Sequence, residues 1–181
     1  MKGKILLKQI PFEKMYHLLE DVTPLPVDCG RLCGSKCCTE WESGVGVYLL
    51  PGEEQFFRDK DWCEVVELPP GEQPFPGAKS YLMLCRGTCP RPQRPLLCRT
   101  FPLAARLEGD KTRVDFDYDG LMICPLVKLG EMEYLDPKFI GRVEAVWIIL
   151  AGFEPIRGYI EKYTARLESE RKQPWRKLLK F

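Results

Sequence analysis

Four cysteines fall within ten consecutive residues of this chain, in the stretch "CGRLCGSKCC". They are Cys29, Cys33, Cys37 and Cys38. Such crowding is typical of a disulfide staple, a metal or iron–sulfur site, or a reactive thiol centre. Each of these restricts the local backbone, because the sulfur atoms must share one small volume or one special environment. The rest of the sequence has to decide among the three.

The chain is long enough to fold without disulfide cross-links. It has 181 residues, of which 45% are hydrophobic, and a chain of this length buries roughly 70% of the surface that it exposes when unfolded. Its beginning, "MKGKILLKQIPFEKMYHLLED", lacks the apolar segment of an export signal, and its longest apolar run, "AVWIILAGF", is too short to span a bilayer. We therefore expect a cytoplasmic protein with reduced thiols, in which metal or redox chemistry is favoured over disulfides.

The charge distribution argues against a nucleic-acid or membrane partner. The net charge is only +1, with 27 basic and 26 acidic residues. This balance does not indicate a protein that binds nucleic acid or a membrane surface. Residues 85–106, however, carry five arginines and no acidic residue among three cysteines. Cations beside thiolates help to keep them deprotonated, although a solvated basic loop or a phosphate-binding loop are alternatives. The arginines are Arg86, Arg91, Arg94, Arg99 and Arg106.

The first two thirds of the chain read as short, irregular elements. A helix is predicted over residues 12–20, and a second one starts in "PGEEQFFRD", where the glutamates complement the positive end of the helix dipole. The segments "GVGVYLL", "WCEVVELP" and "KSYLMLC" are candidate strands, and a short helix is expected around Leu97. Residues 103–108 and 112–118 form a hairpin with its turn at Gly109 and Asp110.

The last third has helical periodicity. We expect one nearly apolar, buried helix in "DPKFIGRVEAVWIILAGF" and one amphipathic helix in "PIRGYIEKYTARLESERK". The predicted fold class is therefore α+β: a small irregular domain centred on cysteines and metal, with short strands and a C-terminal helical pair. We divide it into an N-terminal extension (1–28), a cysteine-rich metal-binding region (29–125) and C-terminal helices packed on it (126–181), as one domain overall.

Eight of the nine cysteines are candidate metal ligands. Cys63 lies in a strand-like segment without a neighbouring cysteine, which favours a small buried hydrophobic side chain. The other eight suffice for two four-thiolate sites or for one multinuclear cluster. These eight are Cys29, Cys33, Cys37, Cys38, Cys85, Cys89, Cys98 and Cys124.

Geometry restricts the first cluster further. On one continuous helix Cys29 and Cys37 would lie about 12 Å apart, whereas sulfurs on one zinc lie within roughly 4 Å of one another. Gly30 and Gly34 are poor helix residues, so a folded loop is expected instead. Adjacent side chains point in different directions, so Cys37 and its neighbour either serve two metals or one of them supports the other's ligands.

The motif "CGRLCGSKCC", followed by "CRGTCPRPQRPLLCRTFP", resembles the zinc- or iron-chelating domain family that is named after its CxxCxxCC motif. Arg94, Pro95, Cys98, Arg99 and the pair "FP" match the family's RPxxCRxFP stretch. The resemblance covers about residues 29–125 and implies a metal site built from the cysteines. The first two spacings here are three residues rather than two. Some related proteins are flagellin lysine N-methylases, in which a similar pattern implies an iron–sulfur cluster.

The sequence leaves open whether the chain is an enzyme. It has no nucleotide-binding or metalloprotease motif, and its one histidine, His17, is expected at the surface. Asp115, Asp117 and Asp119 alternate in "DFDYDG" and are interpreted as the solvent face of a hairpin strand. Catalysis by a reactive thiol stays open if one of the eight cysteines is not a ligand.

Two functions follow from these observations. The first is a cytoplasmic protein that binds zinc or iron through the eight cysteines in a structural, carrier or redox role, with Arg94 and Arg99 supporting the bound cofactor and with a protein partner. The alternative is an iron–sulfur enzyme or electron-transfer subunit, distantly like flagellin lysine N-methylase. Soft thiolates accept both metals, so the sequence does not choose between them.

Overall fold

The computed structural model describes residues 9–39, 46–87 and 89–171 of the chain. It contains a three-stranded antiparallel sheet, a separate β-hairpin and several helices, of which the two longest come last. The predicted α+β class is confirmed. The helices are α1 (Phe12–Leu18), α2 (Gly30–Cys33), α3 (Lys36–Thr39), α4 (Leu96–Thr100), α5 (Pro125–Leu129), α6 (Pro137–Leu150) and α7 (Glu154–Arg171). The strands are β1 (Val47–Leu49), β2 (Cys63–Glu67), β3 (Tyr81–Cys85), β4 (Leu103–Glu108) and β5 (Lys111–Phe116).

The two C-terminal helices form the predicted pair. Helix α6 begins where Pro137 occupies the first turn and the Asp136 side chain accepts the backbone N–H of Lys138 at 2.8 Å. Its buried residues recur at helical spacing and pack on β5, while α7 packs on β4. Within the described ranges, no helix is long and apolar enough to cross a membrane.

The predicted hairpin is also confirmed, with Gly109 in the left-handed region at φ +60°. Strand β5, however, ends at Phe116, two residues before the predicted end. Asp117 therefore leaves the sheet, and its half-buried carboxylate accepts the hydroxyl of Tyr163 at 3.1 Å. The interpretation of Asp117 as part of a solvent-facing strand was wrong, because the chain turns into a short 3₁₀ segment (Tyr118–Met122) that this carboxylate caps.

The three-stranded sheet has the order β1-β3-β2. Cys63 lies directly opposite Cys85 in the β2–β3 pair. As predicted, Cys63 is a buried hydrophobic residue: it belongs to a small second core that also contains Leu49 and Met83. Its thiol donates to the carbonyl of Phe57 at 3.6 Å. The main core is larger and lies where α1, the hairpin and α6 meet.

The first cysteine cluster folds as two short helices joined by a turn. This agrees with the folded loop that the spacing of its cysteines predicted. Helices α2 and α3 are separated by Gly34 at φ +67° and Ser35 at φ +56°. Both residues take the left-handed backbone conformation, which ends one short helix and lets the next start in a new direction. The three cysteines at positions 29, 33 and 37 are thus not on one continuous helix.

The segment "PGEEQFFRD" contains a buried carboxylate that the sequence did not indicate. It forms a 3₁₀ turn (Glu53–Phe56) in which Glu53 is completely buried. Its carboxylate accepts the hydroxyl of Tyr16 at 2.5 Å, the N–H of Leu96 at 2.7 Å and the N–H of Leu50 at 3.0 Å. Both glutamates lie in the first turn, as predicted, although this turn is 3₁₀ rather than α-helical. The Glu53 carboxylate additionally joins three segments of the chain.

We expect Glu53→Gln to lower the free energy of unfolding by about 1–3 kcal/mol, because the glutamine NH₂ group would face the Leu50 N–H and leave it without an acceptor. Denaturant unfolding of the purified variant measures this. Glu54→Gln is the matched control, since among the described residues Glu54 accepts only the N–H of Gly52, and a glutamine oxygen can replace that acceptor. Equal stabilities of the two variants would contradict the role given to Glu53.

Candidate metal centre

Five of the eight candidate ligands line one cavity. The cavity has a volume of about 600 Å³ and is bounded by the three-stranded sheet, α3, α4, β4 and the two C-terminal helices. The segments that supply its thiols are far apart in sequence, and one of them, α4, begins with a hydrogen bond from its first residue, Leu96, to the buried Glu53 carboxylate. The cysteines in its wall are Cys37, Cys38, Cys85, Cys89 and Cys98.

These thiols influence one another's ionisation. Burial is the main reason why the pKa of Cys98 lies well above its usual value, and the nearby Cys89 and Cys85 raise it further. Burial likewise raises the pKa of Cys85 to about 11, again with a contribution from Cys89. Several negative charges would therefore repel one another in this space. A cation among them would remove that repulsion.

The pKa values of the adjacent residues Cys37 and Cys38 are shifted in opposite directions. A hydrogen bond from the Cys37 thiol lowers the pKa of Cys38 to about 6, and the positive charge of Arg94 acts in the same direction. The same hydrogen bond, followed by burial, raises the pKa of Cys37. Cys38 is thus the thiol of this group with the strongest preference for the thiolate form, which is the form that binds metals.

Arg94 lies among these thiols. It forms a side-chain hydrogen bond with Cys89, and the charges of Cys38 and Cys89 both favour its cationic form, against the effect of burial. Its Nε atom is buried and has no hydrogen-bond partner among the described residues. The sequence prediction placed Arg94 beside the cofactor, and the structure puts it beside the cysteine wall.

The remaining candidate ligands form a neighbouring group of three. After burial, the nearby Cys33 contributes most to raising the pKa of Cys29, and Cys124 also contributes. The thiol of Cys124 is at the start of α5, where the N–H groups of Leu126 and Val127 oppose the upward shift that burial causes in its pKa. We call these residues the three-thiol group, and the five in the cavity the five-thiol group.

The two groups adjoin each other, since Cys29 contributes to the raised pKa of Cys37. Among the described residues, no three histidine, cysteine or acidic side chains are already arranged to hold a metal ion. The donor set in the cysteine wall is nevertheless soft sulfur, which suits zinc and iron. None of the nine cysteines forms a disulfide.

Arg99 contacts the backbone rather than a thiol. Its guanidinium group donates to the carbonyls of Pro92 at 2.5 Å, Arg94 at 2.8 Å and Tyr16 at 3.2 Å, and it lies 4.5 Å from the ring centre of Tyr16. Arg99 therefore holds the loop that precedes α4 against α1. That loop and helix carry Arg94 and Cys98, so Arg99 positions part of the five-thiol group from a distance.

His17 is at the surface, as expected, with 84% of its side chain exposed and Glu20 beside it at 3.2 Å. Sequence reasoning missed other residues that line the cavity, namely Asp117, Trp147 and Tyr159. The alternating aspartates of "DFDYDG" include Asp117, but their pattern was interpreted as the solvent face of a strand. The two aromatic residues carry no local signal, because helical periodicity indicates only that they are buried.

Comparison with models of protein families, with curated proteins and with solved structures finds no match to this chain. The resemblance to the CxxCxxCC family therefore stays a prediction that rests on the quoted motifs.

We expect Arg99→Lys to lower the free energy of unfolding by about 1–3 kcal/mol, because a lysine cannot reproduce the forked contact with three carbonyls. Arg86→Lys is the control: the Arg86 side chain is exposed and, within the described part of the chain, donates only to the carbonyl of Asp61 at 3.3 Å, so a change of less than about 0.5 kcal/mol is expected. Both are measured by denaturant unfolding. A fully stable lysine variant at position 99 would show that the loop is held by other contacts.

Proposed function

We propose that this chain is a metal-binding protein that holds zinc or iron through its eight candidate cysteines. The observation that supports this most is the convergence of five thiols, from three separate parts of the sequence, on one cavity, with three more next to it. A core built only for packing has no need of so many thiols in one place. We also propose a cytoplasmic location, where such thiols stay reduced.

The electrostatics of the cysteine wall favour a bound cation. Burial and mutual repulsion raise the pKa of most of these thiols, and a divalent ion reverses both effects by binding the thiolates directly. Four thiolates on one divalent ion leave about two surplus negative charges. Arg94 lies where it would offset part of that surplus, and its buried Nε would gain a sulfur acceptor if the thiols closed on a metal.

We infer two neighbouring groups of candidate ligands rather than eight equivalent ones, because five of the thiols line the cavity and the other three influence one another's ionisation. The three-thiol group has one thiol fewer than a closed four-coordinate site needs, so Cys37 or a molecule from outside the chain would complete it. The five-thiol group exceeds that number. This arrangement is compatible with two separate ions and with one cluster that has bridging thiolates, and the role is accordingly structural, that of a carrier, or redox.

A second candidate function is an iron–sulfur enzyme or electron-transfer subunit. The cavity favours it, because the thiols share a space of about 600 Å³ with many other side chains, and this volume is far more than one ion and its ligands require. Elemental analysis of protein purified without oxygen, together with its visible spectrum, separates the two functions. Zinc gives no visible band, whereas an iron–sulfur cluster gives a band that bleaches on reduction.

We expect Cys98→Ser to lose most of the metal of the five-thiol group, because a serine hydroxyl is a poor replacement for a thiolate. Cys124→Ser is expected to lose only the metal of the three-thiol group. Metal content per chain is measured by elemental analysis after purification in the presence of a reductant. Full metal content in the Cys98 variant would contradict the assignment of the five-thiol group.

Cys63→Ser is the matched control for both variants. It removes a thiol that is paired with Cys85 across the β2–β3 strands and that is buried in the second core, where it donates to the carbonyl of Phe57. We expect unchanged metal content. Loss of metal from this variant would mean that the ninth cysteine is also a ligand.

Removal of the metal by a chelator under reducing conditions is expected to lower the melting temperature by about 10 °C, because a metal bound only by the folded chain contributes its binding free energy to stability. The main core consists mostly of residues outside the cysteine groups, so the C-terminal helices should persist. Circular dichroism before and after chelation measures both effects. An unchanged melting temperature would mean that the thiols bind no metal of structural importance.

A further inference from the structure

The cavity that receives the five-thiol group is larger than a metal site. Its volume of about 600 Å³ lies within the range of roughly 300–1,000 Å³ that is usual for small-molecule pockets. Zinc–sulfur bonds are about 2.3 Å long, so an ion held by the cysteines would occupy only the end of the cavity next to them. The rest of the space is bounded by other elements and needs a separate explanation.

Several other residues that line the cavity belong to the packed main core. They include Leu103 and Trp147, each of which is only 2% exposed. Tyr159, which also lines the cavity, stacks against Tyr163 and contacts the ring of Phe75 at a centroid distance of 5.0 Å. Side chains that are fixed by a packed core cannot easily collapse into the cavity. These residues thus form a preformed surface for an apolar molecule.

One polar side chain that lines the cavity, Asp117, has a fixed orientation and one carboxylate oxygen without a described donor. The Oδ1 atom of Asp117 accepts the Tyr163 hydroxyl at 3.1 Å and the N–H of Asp119 at 3.2 Å, which fixes the orientation of the carboxylate. No described residue donates to its Oδ2 atom. Asp119 is occupied elsewhere, because it pairs with Arg166 at 2.6 Å. Asp117 Oδ2 therefore offers an oriented hydrogen-bond acceptor beside an apolar surface.

We propose that the part of the cavity that Leu103, Trp147 and Tyr159 line binds a small organic molecule with a mostly apolar body and one hydrogen-bond donor for Asp117 Oδ2. The body would lie against Trp147 and Leu103, in a cavity that the five-thiol group also lines. The binding surface is built from residues other than the cysteines, so the inference does not depend on which metal is bound, or on whether one is.

The test uses two naphthalene probes that differ in one donor: 2-naphthalenemethanol, which has a hydroxyl, and its methyl ether, which has none. Each is titrated into the full-length chain and followed by ligand-observed NMR. We expect saturable binding of the alcohol with a Kd of about 1 mM or tighter, as is usual for a molecule of this size. The ether should bind roughly 3–10 times more weakly, because it cannot donate to Asp117.

Three variants locate the binding. Ala104→Phe introduces a large side chain into the cavity wall and should abolish binding of both probes. Ala165→Phe, the same change at an exposed position of α7 that is outside the cavity wall, should leave binding unchanged. Asp117→Asn keeps an oxygen for Tyr163 but can turn its NH₂ group toward the cavity, so the preference for the alcohol over the ether should be lost.

The inference is overturned if neither probe shows saturable binding at probe concentrations up to about 5 mM. This concentration exceeds the largest Kd that is expected for the alcohol. It is also overturned if Ala104→Phe binds like the parent chain, or if Asp117→Asn keeps the full preference for the alcohol. Metal content is measured in the same samples. Protein that lacks metal and still binds the probes would contradict the proposed function alone, and protein that holds metal but binds neither probe would contradict this inference alone.

Discussion

The buried carboxylate of Glu53 is the contact on which the arrangement of the other elements depends. It accepts hydrogen bonds from α1, from the turn after β1 and from the first residue of α4. A carboxylate in this position is unfavourable without donors, and burial accordingly raises its pKa, while the three hydrogen bonds oppose the shift. Each of the three segments thus compensates for a cost that none of them could offset alone.

This network extends to the cysteines through Tyr16. The Tyr16 hydroxyl donates to Glu53, while its ring supports the guanidinium of Arg99, and Arg99 in turn donates to the carbonyls of the loop before α4. That loop delivers Arg94, and α4 delivers Cys98, to the cavity. The position of Cys98 is therefore supported by contacts that involve no sulfur atom.

Burial of the cysteines favours neutral thiols, whereas metal binding would require thiolates. Thiols that are buried together resist ionisation, as the raised pKa of Cys85 and Cys98 shows. Cys38 is the exception, because the Cys37 thiol and Arg94 favour its charged form. The thiols that line the cavity therefore differ in how readily each becomes a thiolate.

Features that depend on neighbouring residues could be read from the sequence. The hairpin, the strands of the sheet, the two C-terminal helices and the break between α2 and α3 follow from periodicity, turn residues and glycines within a few positions of one another. The burial of Cys63 followed from its strand-like surroundings. The choice of the eight other cysteines as candidate ligands likewise came from counting and spacing alone.

Only the tertiary structure decided which of these cysteines share a space. It also decided that Glu53 is a buried acceptor and that Asp117 turns out of its strand toward Tyr163, although both stand in segments that look ordinary in the sequence. Their partners lie far away along the chain, with 37 positions between Tyr16 and Glu53 and 46 between Asp117 and Tyr163. Local patterns specify elements because propensity and periodicity are local, whereas the burial of a polar group depends on donors that only the folded chain brings to it.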